Sequence, residues 1–330
     1  MGMNLLGRSI LKPADLHPDE FLYVLDLAEE LKGLKAAGSL PPLLKGKSLA
    51  LLFEKASTRT RCAFAVACAE LGAHPEFLGK DDIHFGKKES VRDTARVLGR
   101  MFDGIEYRGF SHGVVEDLAR DAGVPVYNGL TDLWHPTQVL ADLMTIRSHV
   151  GSLRRARLAY LGDARNNMGH SLLVAAALTG MDLRIAAPRA LFPDREIVAV
   201  AEILAQRTGA RLTIAESVAD AVRDVDAIYT DVWASMGEED KLAERIALLR
   251  AYQVTGDVLT ASGNRDVIFM HCLPAVHDSR TAVGREVLEA YGMEGLEVTD
   301  DVFESSHSVV FEQAENRLHT IAALLVATLS

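Results

Sequence analysis

Short apolar runs alternate with helical patterns along most of this chain, and no other feature restricts the fold as much. Residues 48–53, Ser-Leu-Ala-Leu-Leu-Phe, make an apolar run of strand length. Before it, Phe21, Val24, Leu25, Ala28 and Leu31 recur at helical spacing behind Pro18 and acidic residues, which predicts a helix over 21–34. Ser90 and Asp93 form a capping-box pair for a helix carrying Val91, Leu98 and Met101. Pro136 suits the first turn of a helix that runs to about His149. The pattern restarts with a strand at 158–161, and further strands are expected near 183–186, 212–214, 227–230 and 267–270, with helices between them. Strands separated by helices form parallel sheets covered by those helices.

The chain has 330 residues, more than one ordinary core serves. The expectation is therefore an α/β protein of two domains, each a parallel sheet flanked by helices. The division is placed near Val150-Gly151-Ser152, giving domains over 1–150 and 151–304. A long closing helix, about 305–330, has Val310, Ala314, Leu318, Ile321 and Leu325 on one face. The active site is expected where strand ends face a shared cleft. The formal net charge of -11 argues against a nucleic-acid surface, which needs clustered Lys and Arg, yet leaves room for a small basic pocket. Three cysteines, Cys62, Cys68 and Cys272, make no disulfide framework and fit a reducing cytoplasm. No run approaches the ~20 apolar residues of a membrane span, and the first residues carry no long apolar stretch with a cleavage site.

Five short segments carry candidate chemistry. Ser57-Thr58-Arg59-Thr60-Arg61 follows a predicted strand and opens a helix. Hydroxyls, free N–H groups and the positive helix end there make a phosphate site, and Arg59 can grip phosphate oxygens in bidentate fashion; a plain polar cap is the alternative. The glycines of a P-loop are missing. In His135-Pro136-Thr137-Gln138, a His and a Gln at a helix start can both donate to a carbonyl oxygen, the other reading being a surface His. Asp163-Ala164-Arg165-Asn166-Asn167-Met168-Gly169 follows a strand but lacks the G-x-G-x-x-G of a dinucleotide site; an amide there suits the α-carboxylate or α-amine of an amino acid. Asp231-Val232-Trp233-Ala234-Ser235-Met236-Gly237 offers a carboxylate at a strand end as an amine anchor, then a small-residue closing loop; a capping Asp is the alternative. His271-Cys272-Leu273-Pro274 closes another strand. With His277 it can be mistaken for a metal site, but its spacing matches no common zinc pattern, and no activating base for a cysteine nucleophile is visible.

In this order and spacing the five segments resemble the ornithine carbamoyltransferases, within the aspartate/ornithine carbamoyltransferase family, from Phe53-Glu54 to Ala314-Glu315-Asn316-Arg317. The Ser57–Arg61 and His135–Gln138 segments are shared across carbamoyltransferases. Those around Asn167, Asp231 and His271 look specific for ornithine. The resemblance implies a cytoplasmic transferase of arginine metabolism, serving either arginine biosynthesis or citrulline breakdown, that moves the carbamoyl group of carbamoyl phosphate to the side-chain amine of L-ornithine, giving citrulline and phosphate. It implies a carbamoyl-phosphate domain onto which the C-terminal helix packs back, an ornithine domain, and assembly as a homotrimer or multiple of trimers. Ser57, Thr58, Arg59 and Thr60 would bind phosphate, and Arg108 would bridge phosphate and carbonyl. His135 and Gln138 would hold the carbamoyl group, Cys272 and Leu273 would lie between the substrates, and Arg317 would reach the carbonyl. Asn167, Asp231, Ser235 and Met236 would bind ornithine, with Arg108, His135 and Cys272 as the catalytic set. His84 stands where some relatives carry Gln, in a loop that reaches the neighbouring subunit's carbamoyl-phosphate site.

Carbamoyl phosphate is already activated, so no metal or organic cofactor is expected. The δ-amine attacks the carbonyl carbon, an oxyanion develops, and phosphate leaves. Arg108, Thr60 and His135 would stabilise the oxyanion and Arg59 the departing phosphate. A carbamoyltransferase for another amine, such as putrescine, is the rival reading. Asp231 disfavours aspartate as acceptor, because a carboxylate there repels a second acid.

Overall fold

The computed structural model describes residues 4–83, 85, 88–234 and 241–330. The chain divides into two compact units. Unit 1 is Met1–Met144 together with Glu315–Ser330, and unit 2 is Thr145–Ala314. The division runs through two continuous helices, Pro136–Val150 and Val310–Leu329.

Unit 1 carries strands β1 (Ser48–Phe53), β2 (His74–Gly79), β3 (Gly104–Arg108) and β4 (Val126–Leu130). Its helices are α1 (Pro18–Ala36), α2 (Thr58–Glu70), α3 (Val91–Leu98), α4 (His112–Asp121) and the first part of α5 (Pro136–Val150). The sheet order is β2-β1-β3-β4, all parallel. Ala50, Leu52, Ile105, Tyr107 and Val126 from the sheet pack with Ala95, Leu98, Val115 and Leu118 from α3 and α4. The order reverses between β1 and β3. In open parallel sheets such a switch point is where connecting loops diverge to opposite faces and leave a crevice at the strands' carboxyl ends.

Unit 2 carries β5 (Arg157–Leu161), β6 (Asp182–Ala186), β7 (Arg211–Ala215), β8 (Ala227–Thr230) and β9 (Ile268–His271). Its helices are α6 (Asn167–Thr179), α7 (Arg195–Thr208), α8 (Val218–Val222), α9 (Leu242–Leu249), α10 (Gly256–Ala261), α11 (Ala282–Tyr291), α12 (Asp300–Phe303) and the start of α13 (Val310–Leu329). The order β7-β6-β5-β8-β9 is again wholly parallel and reverses between β5 and β8. Trp233, Leu249, Phe269, Val287 and Val298 lie in its core.

The fold is the α/β arrangement expected, down to the closing helix. In unit 1, α13 reaches α1 through Lys32 Nζ, which donates to Asn316 Oδ1 at 2.8 Å, and α2 through Arg317. One detail differs from the helical pattern. Val310, Ile321 and Leu325 are fully buried, whereas Ala314 and Leu318 are half-buried, and Gln313, Asn316, Arg317 and Thr320 are buried instead. The helix covers more than one apolar stripe because its polar residues have partners inside the units. Ser90 caps α3 as anticipated: Asp93 N donates to Ser90 Oγ at 3.1 Å. No helix among the described residues is long and apolar enough to cross a membrane.

Candidate active site

The first cluster forms at the switch point of unit 1. β1 ends at Phe53, which lies in register with Arg108 at the end of β3, and Glu54 N donates to Arg108 O at 2.9 Å. Three residues later Ser57 caps α2, accepting from Thr60 N at 3.2 Å. This fulfils the local prediction of a strand running into a helix N-terminus, where N–H groups and the helix dipole favour an anion. Ser57 and Arg59 are half-buried, Thr58 is exposed, and Thr60 is fully buried.

Two guanidiniums converge on Thr60. Arg108 NH1 donates to Thr60 Oγ1 at 3.2 Å, and Arg317 NH2 donates to the same oxygen at 2.8 Å. Arg317 NH2 also donates to Thr137 Oγ1 at 3.2 Å, and Thr137 Oγ1 lies 3.4 Å from His135 Nδ1. Burial, reinforced by the charges of Arg317, Arg108 and Arg59, holds the His135 imidazole well below its ordinary pKa of 6.5. The ring is therefore neutral at physiological pH, and one nitrogen can donate without a competing positive charge. Gln138, also buried, donates through Nε2 to Asp142 Oδ1 at 2.8 Å; its Oε1 has no hydrogen-bond partner among the described residues.

A cavity of about 700 Å³ adjoins the same loop, lined by Lys55, Ser57, Thr58, Arg61 and Phe77 among others. Thr60, Arg108, His135 and Arg317 do not line it, so its volume is no guide to where the chemistry occurs.

The second cluster forms at the switch point of unit 2. Asn166 caps α6, accepting from Gly169 N at 2.8 Å, and its Nδ2 donates to Asp231 Oδ2 at 3.0 Å. Because β5 and β8 are sheet neighbours, the turns after them meet there. Asp231 Oδ1 accepts from Val232 N at 2.8 Å and from Cys272 Sγ at 2.9 Å. Burial raises the Asp231 pKa above 3.8, opposed by His271 and by these hydrogen bonds. Asn167 is the first residue of α6 and half-buried, as are Cys272 and Leu273.

The turn after β9 is held from behind. Leu273 N donates to His271 Nδ1 at 2.8 Å, so the His271 proton sits on Nε2, 3.3 Å from Glu297 Oε1 but not aligned as a hydrogen bond. His271 and Glu297 are both fully buried, and Glu297 Oε1 also accepts from Val276 N at 2.8 Å. Leu273 has φ of 58°, a left-handed conformation that costs an L-residue roughly 1–2 kcal/mol and that these bonds maintain.

Ligand atoms of Asp231, His271 and Cys272 lie within 4.8 Å of one another, as do those of His277, Asp300 and Glu304. In the first set the Cys272 thiol already donates to the Asp231 carboxylate and His271 Nδ1 accepts from Leu273 N, so these groups serve internal bonding. His84, Ser235 and Met236 lie outside the described residues.

Sequence reasoning missed several participants. Thr137 stood inside a quoted segment without a role. Asn166, rather than its neighbour Asn167, makes the bond to Asp231. Glu297 lies in no motif, and Glu106, two residues before Arg108 in Glu106-Tyr107-Arg108-Gly109, was given no role.

Two sequence families match, both by description aspartate/ornithine carbamoyltransferase: the carbamoyl-P binding domain over residues 8–148 and the Asp/Orn binding domain over 154–328. The chain is 58% identical over 327 residues to a catabolic ornithine carbamoyltransferase of Bacillus licheniformis, covering 99% of this chain and 98% of the relative. It is 54% identical over 323 residues to an ornithine carbamoyltransferase of Streptococcus pneumoniae, covering 98% and 96%. Among solved structures it is similar to the ornithine carbamoyltransferase from Pyrococcus furiosus, with a TM-score of 0.91 at 41% identity and 99% of each chain covered.

Proposed function

The chain belongs to the aspartate/ornithine carbamoyltransferase family, and from that premise we propose how its residues divide the reaction. The enzyme transfers a carbamoyl group between carbamoyl phosphate and ornithine, with citrulline and phosphate as the other pair. Residues 1–150 with the C-terminal helix form the carbamoyl-phosphate domain, and 151–304 form the ornithine domain.

The observation that carries the assignment is the convergence of Arg108 and Arg317 on Thr60 beside a neutral His135. Ser57, Thr58, Arg59 and Thr60 receive the phosphate at the N-terminus of α2. Arg108, Arg317, His135 and Gln138 face the carbamoyl group. As the amine attacks, negative charge grows on the carbonyl oxygen, and donors already held in place stabilise it without reorganisation. Arg59 then takes the charge of the leaving phosphate. Asp231 anchors the α-amine of ornithine, and Asn167, Ser235 and Met236 complete its pocket. Cys272, hydrogen-bonded to Asp231, and Leu273 lie between the two substrates. No metal or organic cofactor enters the scheme.

Purified protein given carbamoyl phosphate and ornithine should release citrulline and phosphate in equal amounts. Phosphate released without citrulline would mean that water, not ornithine, is the acceptor.

We place the enzyme in the cytoplasm as a homotrimer or multiple of trimers, with His84 serving the neighbour's carbamoyl-phosphate site. Arg59→Ala and His84→Ala proteins test this by subunit exchange. In a cyclic trimer assembled at random from equal amounts, about one half times one half, roughly a quarter, of the sites regain both residues. Activity that stays at the mutants' average after verified exchange contradicts the shared site.

A further inference from the structure

Glu106 sits in the middle of β3 with no exposed surface, and neither carboxyl oxygen has a hydrogen-bond partner among the described residues. The space it fills is shaped for it. A Cβ added to Gly129 on β4 would lie 1.9 Å from Glu106 Oε1 and 3.1 Å from the Thr60 methyl, so the carboxyl and Thr60 share the niche that glycine leaves open. That niche adjoins the oxygen on which Arg108 and Arg317 converge.

Charged and titratable neighbours come from each surrounding element. On β3 itself Arg108 lies two residues on, and Arg317 approaches from α13; both favour the ionised carboxyl. From α2, Cys68 has its thiol pushed up to about 12, chiefly by burial, with the charge of Glu106 adding to it. On β4 the register partner is Tyr127, whose hydroxyl is 2.5 Å from Thr328 Oγ1, and on β1 it is the apolar Leu51. Two opposed forces therefore set the state of Glu106. Burial disfavours its charge, and the two guanidiniums support it; burial is the larger, and the pKa lies well above 4.5.

A dianion bound at Thr60 would reverse part of that support, because its charge cancels the guanidinium field while the burial stays. Resting on the functional reading above, we infer that Glu106 is the charge-compensating group of the carbamoyl-phosphate site: its carboxylate takes a proton from solvent when the dianion of carbamoyl phosphate binds and returns it when phosphate leaves. The proton moves to a carboxylate oxygen, no bond of the substrate changes, and Glu106 touches no reacting atom. It is a positioning residue: once it carries the proton, the two negative charges of the bound dianion match the two guanidiniums instead of exceeding them by one.

Linkage gives the sign. Binding favours protonated Glu106, so between its free-state and bound-state pKa values affinity for the dianion weakens by up to about tenfold per pH unit as pH rises. Glu106→Gln fixes an uncharged group of nearly the same shape and removes that dependence.

The test is calorimetric titration of the full chain with carbamoyl phosphate from pH 7 to 9.5, each pH in two buffers of different ionisation enthalpy. Glu106→Gln is the reference, and Glu106→Leu, which fills the niche without a titrating group, serves if the amide fails to fold. The expected result is an uptake in the wild type that exceeds the reference by up to about one proton within part of this range. Over the same range the wild-type dissociation constant should rise while that of the reference stays level. Equal uptake in wild type and reference at every pH overturns the inference while leaving the functional reading intact. Failure of the wild type to bind carbamoyl phosphate at all overturns both.

Discussion

Replacing Asp231 with Asn should separate the two things this carboxylate does. It accepts from three donors: Asn166 Nδ2 at 3.0 Å, Val232 N at 2.8 Å and Cys272 Sγ at 2.9 Å. An asparagine has one oxygen and an NH2, so one side of it must confront a donor. Asn166 cannot turn its amide to compensate, because its Oδ1 already caps α6 through Gly169 N at 2.8 Å. A buried donor left in this way costs about 1–3 kcal/mol, and a domain the size of unit 2 loses roughly 2–4 °C in melting temperature per kcal/mol. The second loss is in binding. A charge-assisted hydrogen bond to an ammonium contributes about 1.5–3 kcal/mol, which is roughly tenfold to 150-fold in kcat/KM for ornithine. Steady-state citrulline formation at saturating carbamoyl phosphate measures the second loss, and thermal unfolding the first. The dissociation constant for carbamoyl phosphate should not move, since its groups in unit 1 are untouched. A folded Asp231→Asn protein with kcat/KM for ornithine within threefold of the wild type would refute the anchor assignment.

Other perturbations probe the first cluster. Arg59→Ala should lower turnover a hundredfold or more, about 3 kcal/mol of lost stabilisation of the leaving phosphate, with little change in melting temperature; near-normal turnover would contradict the phosphate role. His135 is held below its ordinary pKa of 6.5 in the folded protein. Above pH 6.5 folded and unfolded forms are both neutral there and its contribution to stability is fully present. As pH falls toward the folded pKa the unfolded chain takes the proton first, and stability drops by up to about 1.4 kcal/mol per pH unit. Denaturant unfolding of His135→Gln should therefore show a shallower loss of stability below pH 6.5 than the wild type; an unchanged slope would show that other groups govern it.

How much was legible in the sequence depended on whether a residue's job is local. β1 could be placed to the residue because all but its first side chain is buried and apolar. The Ser57–Arg61 segment announced itself because an N-cap and a phosphate loop use the same residue types at the same short spacing. β3 and β4 were harder: Glu106, Arg108 and Asn128 interrupt their apolar runs, and Arg108 is one of the two guanidiniums that reach Thr60. Arg317 shows the limit most sharply. It bonds Thr60, 257 positions away, and Thr137, 180 positions away, so nothing near it in the chain signals a role; only the family resemblance pointed to it. Glu297 and Asn166 act through partners that the topology supplies, by placing β9 beside β8 and β8 beside β5. A residue whose function is to hold another residue leaves no periodicity of its own.

The choice of acceptor tests the account most directly. In the proposed site ornithine would present an α-amine to Asp231 and an α-carboxylate to Asn167, whereas putrescine lacks the carboxylate and aspartate would add a second one opposite Asp231. Carbamoylated product should be measured for ornithine, putrescine and aspartate in parallel, each over a range of concentrations at saturating carbamoyl phosphate. The account predicts the highest kcat/KM for ornithine. A higher value for putrescine or aspartate would contradict the assignment of the second cluster as an ornithine site.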